Sequence, residues 1–244
     1  PKIQWLDWDA DLDLDLFILD VSGYLRYLEN QGSASMPDFH MITPAFQDIF
    51  CGGWFYFADF DDDGNIDLMA QNEDESDHIS YFGNSEGELY FIDVLSTPTG
   101  GYVISNAVMT PTFADLDNDG NLDFFTCNSN LGTVNYYENT GIMANVPQLV
   151  YSTDNWQDID IVSYNCNSGT QTDDRHGAAA ITFIDLEADG DLDLSWGDYF
   201  QQSLYIIWNS GSAETPNMNE VTTQYPPENS IISAGQNMPT FADL

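Results

Sequence analysis

The chain has 244 residues, 43% hydrophobic and 14% aromatic, which is enough apolar material for a sizeable core in one or two ordinary domains and too much for a disordered chain. Its 41 acidic residues face only Lys2, Arg26 and Arg175, giving a formal charge of −38. That balance excludes nucleic-acid partners, which need a basic surface, and disfavours anionic lipid, while no apolar run approaches the ~20 residues required for membrane insertion as a helix.

In chain order, the first element is the acidic stretch WLDWDADLDLDL (Trp5–Leu16), followed by the strand-like YLRYLEN and a turn signal at Asn30 and Gly32. The second is FADFDDDGNIDL (Phe57–Leu68), followed by HISYFGN, a turn at Asn84 and Gly87, and ELYFIDVLS. The third is FADLDNDGNLDF (Phe113–Phe124), followed by TVNYYEN, a turn at Asn139 and Gly141, PQLVYST, and a long insert at Ser152–Gly177. The fourth is FIDLEADGDLDL (Phe183–Leu194), followed by LYIIWN and a turn at Asn209 and Gly211. FADL at Phe241–Leu244 opens a fifth copy.

The first acids of these stretches, Asp7, Asp59, Asp115, Asp185 and Asp243, are 52, 56, 70 and 58 residues apart. From first Asp to turn Asn the distance holds at 23, 25, 24 and 24 residues, whereas from turn Asn to the next first Asp it varies as 29, 31, 46 and 34. Three strands per repeat are therefore a fixed unit, and variation falls on a fourth strand and the connection beyond it. Four short antiparallel strands on such a period predict an all-β fold, a β-propeller of four-stranded blades. The repeats run at about 1–52, 53–108, 109–178 and 179–236, with the start of a next one at 237–244, all in one propeller region. The chain opens on Pro1 within a repeat, with neither initiator Met nor signal peptide, so a processed product or part of a larger propeller is expected.

The loops supply oxygen at regular intervals. A hard cation such as Ca²⁺ takes about 6–8 oxygen ligands. Carboxylates at positions 1, 3, 5 and 9 and a backbone carbonyl at position 7 provide such a set. In the first loop these are Asp7, Asp9, Asp11, Asp15 and the Asp13 carbonyl; in the second, Asp59, Asp61, Asp63, Asp67 and the Asn65 carbonyl. In the third they are Asp115, Asp117, Asp119, Asp123 and the Asn121 carbonyl; in the fourth, Asp185, Glu187, Asp189, Asp193 and the Asp191 carbonyl. Gly64, Gly120 and Gly190 hold position 6, where the turn favours positive φ; Leu12 replaces them in the first loop, where DADLDLDL also reads as a plain alternating strand. An EF-hand is rejected, because its position-12 Glu is replaced by Ile18, Ala70, Thr126 and Trp196. Without a cation, the crowded carboxylates would repel one another. The loops hold 19 of the 41 acids, so about one Ca²⁺ per complete repeat, up to four, explains about half of the acidic excess. The remainder reads as a solvated acidic surface.

Cys51, Cys127 and Cys166 show no CxxC pair, leaving either buried thiols or a Cys127–Cys166 pair open.

The acidic loops FADFDDDGNIDL, FADLDNDGNLDF and FIDLEADGDLDL, with YYENTG-type turns after them, resemble the FG-GAP/VCBS repeat family. That family includes integrin α-chain heads and bacterial surface and secreted proteins. The resemblance implies a propeller whose loops bind Ca²⁺ through the residues named above. Phe82–Gly83 and Gly177–Ala178 are the remnants of the signatures that name the family, which favours its bacterial secreted and surface branch.

Three function classes follow. The first is a secreted or cell-surface binding or adhesion module for a protein or carbohydrate ligand, stabilised by Ca²⁺, which is plentiful outside cells. Candidate ligand surfaces are Gln71–His78, Gly197–Ser203 and the Ser152–Gly177 insert with Trp156, Tyr164, Arg175 and His176, where an exposed aromatic could stack on a sugar, although most Trp and Tyr of the chain read as blade-packing residues. The second is an architectural subunit of an extracellular assembly, contacting copies of itself or other subunits. The third, a polysaccharide-active enzyme, is disfavoured: His40, His78 and His176 stand in separate repeats without a catalytic motif, and Asp173, Asp174 and His176 form the one local acid–base cluster. No enzymatic activity is expected.

Overall fold

A computed structural model of the chain describes residues 2–105, 110–128, 132–159, 180–197, 204–232 and 238–241. These residues form four antiparallel four-stranded sheets, each a simple meander of consecutive strands, the blade architecture of a β-propeller. The first blade is β1 (Lys2–Leu6), β2 (Asp15–Leu19), β3 (Leu25–Asn30) and β4 (Phe39–Thr43). The second is β5 (Phe55–Ala58), β6 (Asp67–Gln71), β7 (Ile79–Ser85) and β8 (Glu88–Val94). The third is β9 (Thr112–Ala114), β10 (Asp123–Asn128), β11 (Thr133–Met143) and β12 (Val146–Thr153). The fourth is β13 (Ala180–Ile184), β14 (Asp193–Gly197), β15 (Tyr205–Asn209) and β16 (Met218–Thr222). Each blade falls within one expected repeat, and each acidic loop joins its first two strands. Met238–Phe241, where a fifth copy was expected to open, carries no strand, and Ala242–Leu244 lie outside the described residues.

Burial explains the strand sequences. The second strands of the last three blades (DLMAQ, DFFTCN and DLSWG) are buried at nearly every position, so they read as continuous rather than alternating. The fourth strands β4 and β8 are mostly exposed. The first strand pair keeps strict register, with Leu6 opposite Asp15 and Lys2 opposite Leu19.

The chain divides into two compact units, one holding the first two blades and the other the third and fourth. In the first unit, Phe17, Tyr27, Phe46, Phe55, Phe57 and Leu68 pack in one cluster. The Gln4 side chain clamps the neighbouring blade there: its amide nitrogen donates to the Phe57 carbonyl at 2.7 Å, and the Phe57 N–H donates back to its oxygen at 2.8 Å. In the second unit, Phe125, Trp156, Ile181, Leu194, Trp196 and Tyr205 form the corresponding cluster.

Two short 3₁₀ turns, Phe46–Asp48 and Trp156–Asp158, follow the outer strands of the first and third blades. Both place an aromatic into the core below. Phe46 lies 5.1 Å from Phe17 and 5.5 Å from Tyr27; Trp156 lies 5.1 Å from Phe125 and 5.8 Å from Phe183. At Trp156, at the start of the Ser152–Gly177 insert, the blade-packing reading of the aromatics is the one that holds. Trp156 is buried core, because ring packing on Phe125 and Phe183 removes it from solvent. Tyr164, Arg175, His176, Asp173 and Asp174 lie outside the described residues. Cys51 and Cys127 are buried free thiols, pushed up by burial to about 12, so Cys127 is unpaired; Cys166 lies outside the described residues.

Candidate metal-binding loops

The four acidic loops repeat one hydrogen-bond scheme. The position-1 carboxylate accepts from the N–H groups of positions 5 and 6. Asp7 takes Asp11 at 3.1 Å and Leu12 at 3.0 Å; Asp59 takes Asp63 at 3.2 Å and Gly64 at 2.9 Å. Asp115 takes Asp119 at 3.1 Å and Gly120 at 3.0 Å; Asp185 takes Asp189 at 3.2 Å and Gly190 at 3.0 Å. The position-5 carboxylate then accepts from the position-7 N–H, at 3.1 Å for Asp11, 2.8 Å for Asp63 and Asp119, and 3.2 Å for Asp189. A chain that bends this tightly needs left-handed residues. Position 4 has φ of 62, 58, 59 and 58° at Ala10, Asp62, Asn118 and Ala188, and position 6 has 76, 89, 89 and 94° at Leu12, Gly64, Gly120 and Gly190.

This bend gathers the acids. One carboxylate oxygen from each of Asp7, Asp9 and Asp11 lies within 4.8 Å of the others, as do oxygens of Asp115, Asp117 and Asp119. In the second loop the gathered residues are Asp59, Asp61 and Asp67, with Asp63 outside the group. The fourth loop is not among these groups; Glu187 stands there at position 3 in place of Asp.

The residues fit a hard cation on chemical grounds. Every donor is an oxygen. Asp61 Oδ1 is buried without a hydrogen-bond partner inside its group. Burial, then the charges of Asp63, Asp59 and Asp62, raises Asp61 above the usual carboxylate range. Burial with neighbouring acids does the same to Asp9, Glu187 and Asp191. Among the described residues, no ion pair reaches the loops. Arg26 is committed to Asp20 at 2.6 Å, and His40 and His78 sit beside Asp38 and Asp77.

The position-9 carboxylates do a second job that single positions in the sequence do not reveal. Asp15, Asp67, Asp123 and Asp193 are buried at the start of the second strand. Each accepts from the backbone N–H of the turn asparagine, at 2.8, 3.0, 2.8 and 2.9 Å for Asn30, Asn84, Asn139 and Asn209. In three blades a phenol donates as well: Tyr27 at 3.0 Å, Tyr81 at 2.8 Å and Tyr136 at 3.0 Å. The position-2 N–H closes the loop onto the same carboxylate from Trp8, Phe60 and Leu186. The acid thus ties the loop to the third strand. Burial raises Asp67 to about 6 and Asp123 to about 7, with the donated hydrogen bonds opposing the shift. A signal for this exists in the sequence: YLEN, YFGN and YYEN place Tyr three residues before the turn Asn, where the fourth blade has Ile206.

The turn after the third strand comes in two kinds. The first and fourth blades carry NQGSASMPD (Asn30–Asp38) and NSGSAETPN (Asn209–Asn217), one shared pattern. Asn30 Oδ1 accepts from Gly32 and Asp38, and Asn209 Oδ1 from Gly211 and Asn217. A Cβ on Gly32 would meet the Met36 carbonyl at 2.3 Å, and one on Gly211 the Thr215 carbonyl at 2.2 Å, so both turns require glycine. The second and third blades close with tighter hairpins, Ser85 opposite Glu88 and Met143 opposite Val146.

Of the expected ligand surfaces, Gln71–His78 does join β6 to β7. Its ends are structural: Gln71 is buried and bonds Gly53 and Ser76, while His78 stacks on Tyr102 at 4.0 Å. Residues 198–203 lie outside the described residues. No curated protein matches the chain significantly. Residues 59–126, from the first Asp of the second loop into the strand after the third, match the FG-GAP-like repeat family.

Proposed function

For a chain that carries an FG-GAP-like repeat on four-stranded blades, we propose a calcium-stabilised extracellular binding module with a protein or carbohydrate ligand. The observation that carries this reading is the recurrence of one hydrogen-bonded acidic loop in all four blades, gathering three carboxylates in the first three, with no ion pair among the described residues to neutralise it. The cation would be held by the carboxylates of positions 1, 3, 5 and 9 and the position-7 carbonyl. Bound there, Ca²⁺ supplies the charge that lets these acids share one loop. Millimolar extracellular Ca²⁺ suits sites with Kd of about 10⁻⁴–10⁻³ M. The blades are then a scaffold, and ligand selection belongs to the loops between second and third strands and to the connections between repeats. The test is a glycan and matrix-protein array probed with Ca²⁺ and again with EGTA. Selective binding lost in EGTA supports a module; absence of any ligand removes this reading.

One observation favours an architectural alternative. The outer strands expose apolar side chains: Met41 and Ile42 on β4, Tyr90 and Phe91 on β8, and Tyr151 on β12. Outer strands with apolar exposure suit edge-to-edge assembly. Sedimentation across a concentration series without ligand decides this, since a scaffold polymerises and a module stays at one mass.

A further inference from the structure

The first blade holds a cavity of about 370 Å³ between its acidic loop and the Asn30–Asp38 turn, two connections that a meander places at the same end of the blade. Leu12, Leu14, Ala34, Pro37 and Phe39 make its walls. Its polar lining groups are turned to the protein. Asp7 accepts from the backbone of Asp11 and Leu12, and the Asn30 oxygen from that of Gly32 and Asp38. Asp13 pairs with the Asn30 side chain, and its unpartnered Oδ1 is closed to solvent. The cavity therefore offers apolar surface and calls for no charged group inside it.

Two residues at this end depart from their sister repeats, and both expose apolar side chains. Position 6 is glycine in the other three loops; Leu12 takes the same left-handed backbone at φ 76° and is 87% exposed. The turn of the fourth blade shares the pattern of Asn30–Asp38 but carries Thr215 where Met36 stands 76% exposed. Leu12 thus accepts strain that glycine avoids and gains no burial within the chain. Exposed apolar side chains beside a preformed pocket mark a surface for another molecule. Its chemistry follows from the surroundings. Asp9, Asp11 and Asp38 are exposed on the two segments that frame the cavity, in a chain of formal charge −38. One Ca²⁺ offsets two of the five charges from Asp7 to Asp15, so the rim stays acidic with the ion bound.

We propose that this end of the first blade docks a basic polypeptide segment. One large apolar side chain, of leucine or phenylalanine size, fills the cavity against Leu12, Leu14 and Phe39, and flanking lysines or arginines lie over Asp9, Asp11 and Asp38. The site is at the opposite end of the blade from the loop between β2 and β3, so it goes beyond the ligand surfaces named above and does not depend on them.

The test is a ¹H–¹⁵N NMR titration of the calcium-loaded chain in about 0.15 M salt with blocked pentapeptides KKLKK, KKFKK, KKAKK and SSFSS. Saturable shifts confined to Leu12–Leu14 and Ala34–Phe39 are expected, with KKLKK and KKFKK at least about tenfold tighter than the other two. Leu12→Gly and Met36→Thr install the residues of the sister repeats, and each weakens KKFKK by about three- to tenfold. Melts in Ca²⁺ verify folding, with Leu12→Gly no less stable than the parent chain. Ala34→Trp fills the cavity and removes the preference for an apolar anchor. KKAKK as tight as KKFKK, or shifts spread over all the acidic loops, would reduce the effect to diffuse charge attraction and overturn the proposal. SSFSS as tight as KKFKK would make the cavity a plain apolar pocket with no basic partner. Shifts at Leu12 and Met36 on dilution of the chain alone would give the surface to a second copy. Affinity unchanged by Leu12→Gly and Met36→Thr, or no saturable binding below about 5 mM, would equally overturn it.

Discussion

The first and second acidic loops lie in the same compact unit and follow the same backbone with different residues at positions 6 and 7. Gly64 occupies a left-handed position at φ 89°, and Leu12 holds the equivalent place at 76°. Leu12 is 87% exposed, so no burial compensates its strain. The hydrogen bonds that shape the turn are nevertheless the same, from positions 5 and 6 to the position-1 carboxylate. The carboxylates therefore dictate the bend, and glycine only removes strain from it. Position 7 decides something else. Asn65 is exposed and donates to Asp63, whereas Asp13 is buried beside the wider Asn30–Asp38 turn. One loop geometry is thus combined with two different surroundings.

The largest expected effect tests whether the two loops are anchored alike. Asp67→Ala strands the donors of Phe60, Tyr81 and Asn84, and Asp15→Ala those of Trp8, Tyr27 and Asn30. Each should lower stability by about 3–5 kcal/mol in urea denaturation with Ca²⁺ present, since several buried partners lose their acceptor. A much smaller loss for Asp15→Ala would show that the first loop is not tied to its third strand in the same way.

Next comes pH, which separates metal-free from metal-loaded protein at the second and third loops. Burial raises Asp67 to about 6 and Asp123 to about 7 in the folded chain. Between about pH 4 and 7 the folded form then holds protons that the unfolded chain has released, so metal-free stability falls as pH rises through that window. In EGTA the melting midpoint should be ~5 °C higher near pH 5 than near pH 7.5. With Ca²⁺ the order should reverse, because protons compete with the ion for the same oxygens. Asp67→Asn should remove the second loop's share of both trends.

Smaller effects concern position 6. A Cβ at Gly64 would meet nothing within 4 Å, so Gly64→Ala adds backbone strain alone. It should cost about 1–2 kcal/mol. Leu12→Gly should do the converse and stabilise by about 0.5–1 kcal/mol, the relief of strain being partly offset by glycine's freedom in the unfolded chain. Destabilisation by Leu12→Gly would mean that Leu12 makes contacts in solution that outweigh its strain.

The blade plan was legible because an acidic turn with two left-handed residues leaves a mark at each repeat, and because the third strand ends on Asn at a nearly constant distance from it. The gathering of Asp7, Asp9 and Asp11 in one group, and of Asp115, Asp117 and Asp119 in another, follows from local spacing alone. What escaped was long-range. The role of Asp123 depends on Tyr136 and Asn139 meeting it across β10 and β11, which residue-by-residue counting of oxygens does not show. That Trp156 packs in the core follows the general reading of the aromatics, but the turn that puts it there, with Gln157 and Asp158 at positive φ, was not foreseen. The matching AFQDI and NWQDI segments were the available clue. The Gln4 clamp on Phe57 had no local signature at all, because it bonds another blade's backbone.

The most direct measurement is a thermal melt of the chain in millimolar Ca²⁺, in excess EGTA, and in EGTA followed by Ca²⁺ or Mg²⁺. With Kd of about 10⁻⁴–10⁻³ M, millimolar Ca²⁺ adds roughly 0.4–1.4 kcal/mol per site, and up to four sites add together. The loops, as described, predict a large fall in midpoint on chelation that Ca²⁺ restores and Mg²⁺ restores poorly. An unchanged midpoint would contradict calcium binding and leave four acidic turns held by their own hydrogen bonds.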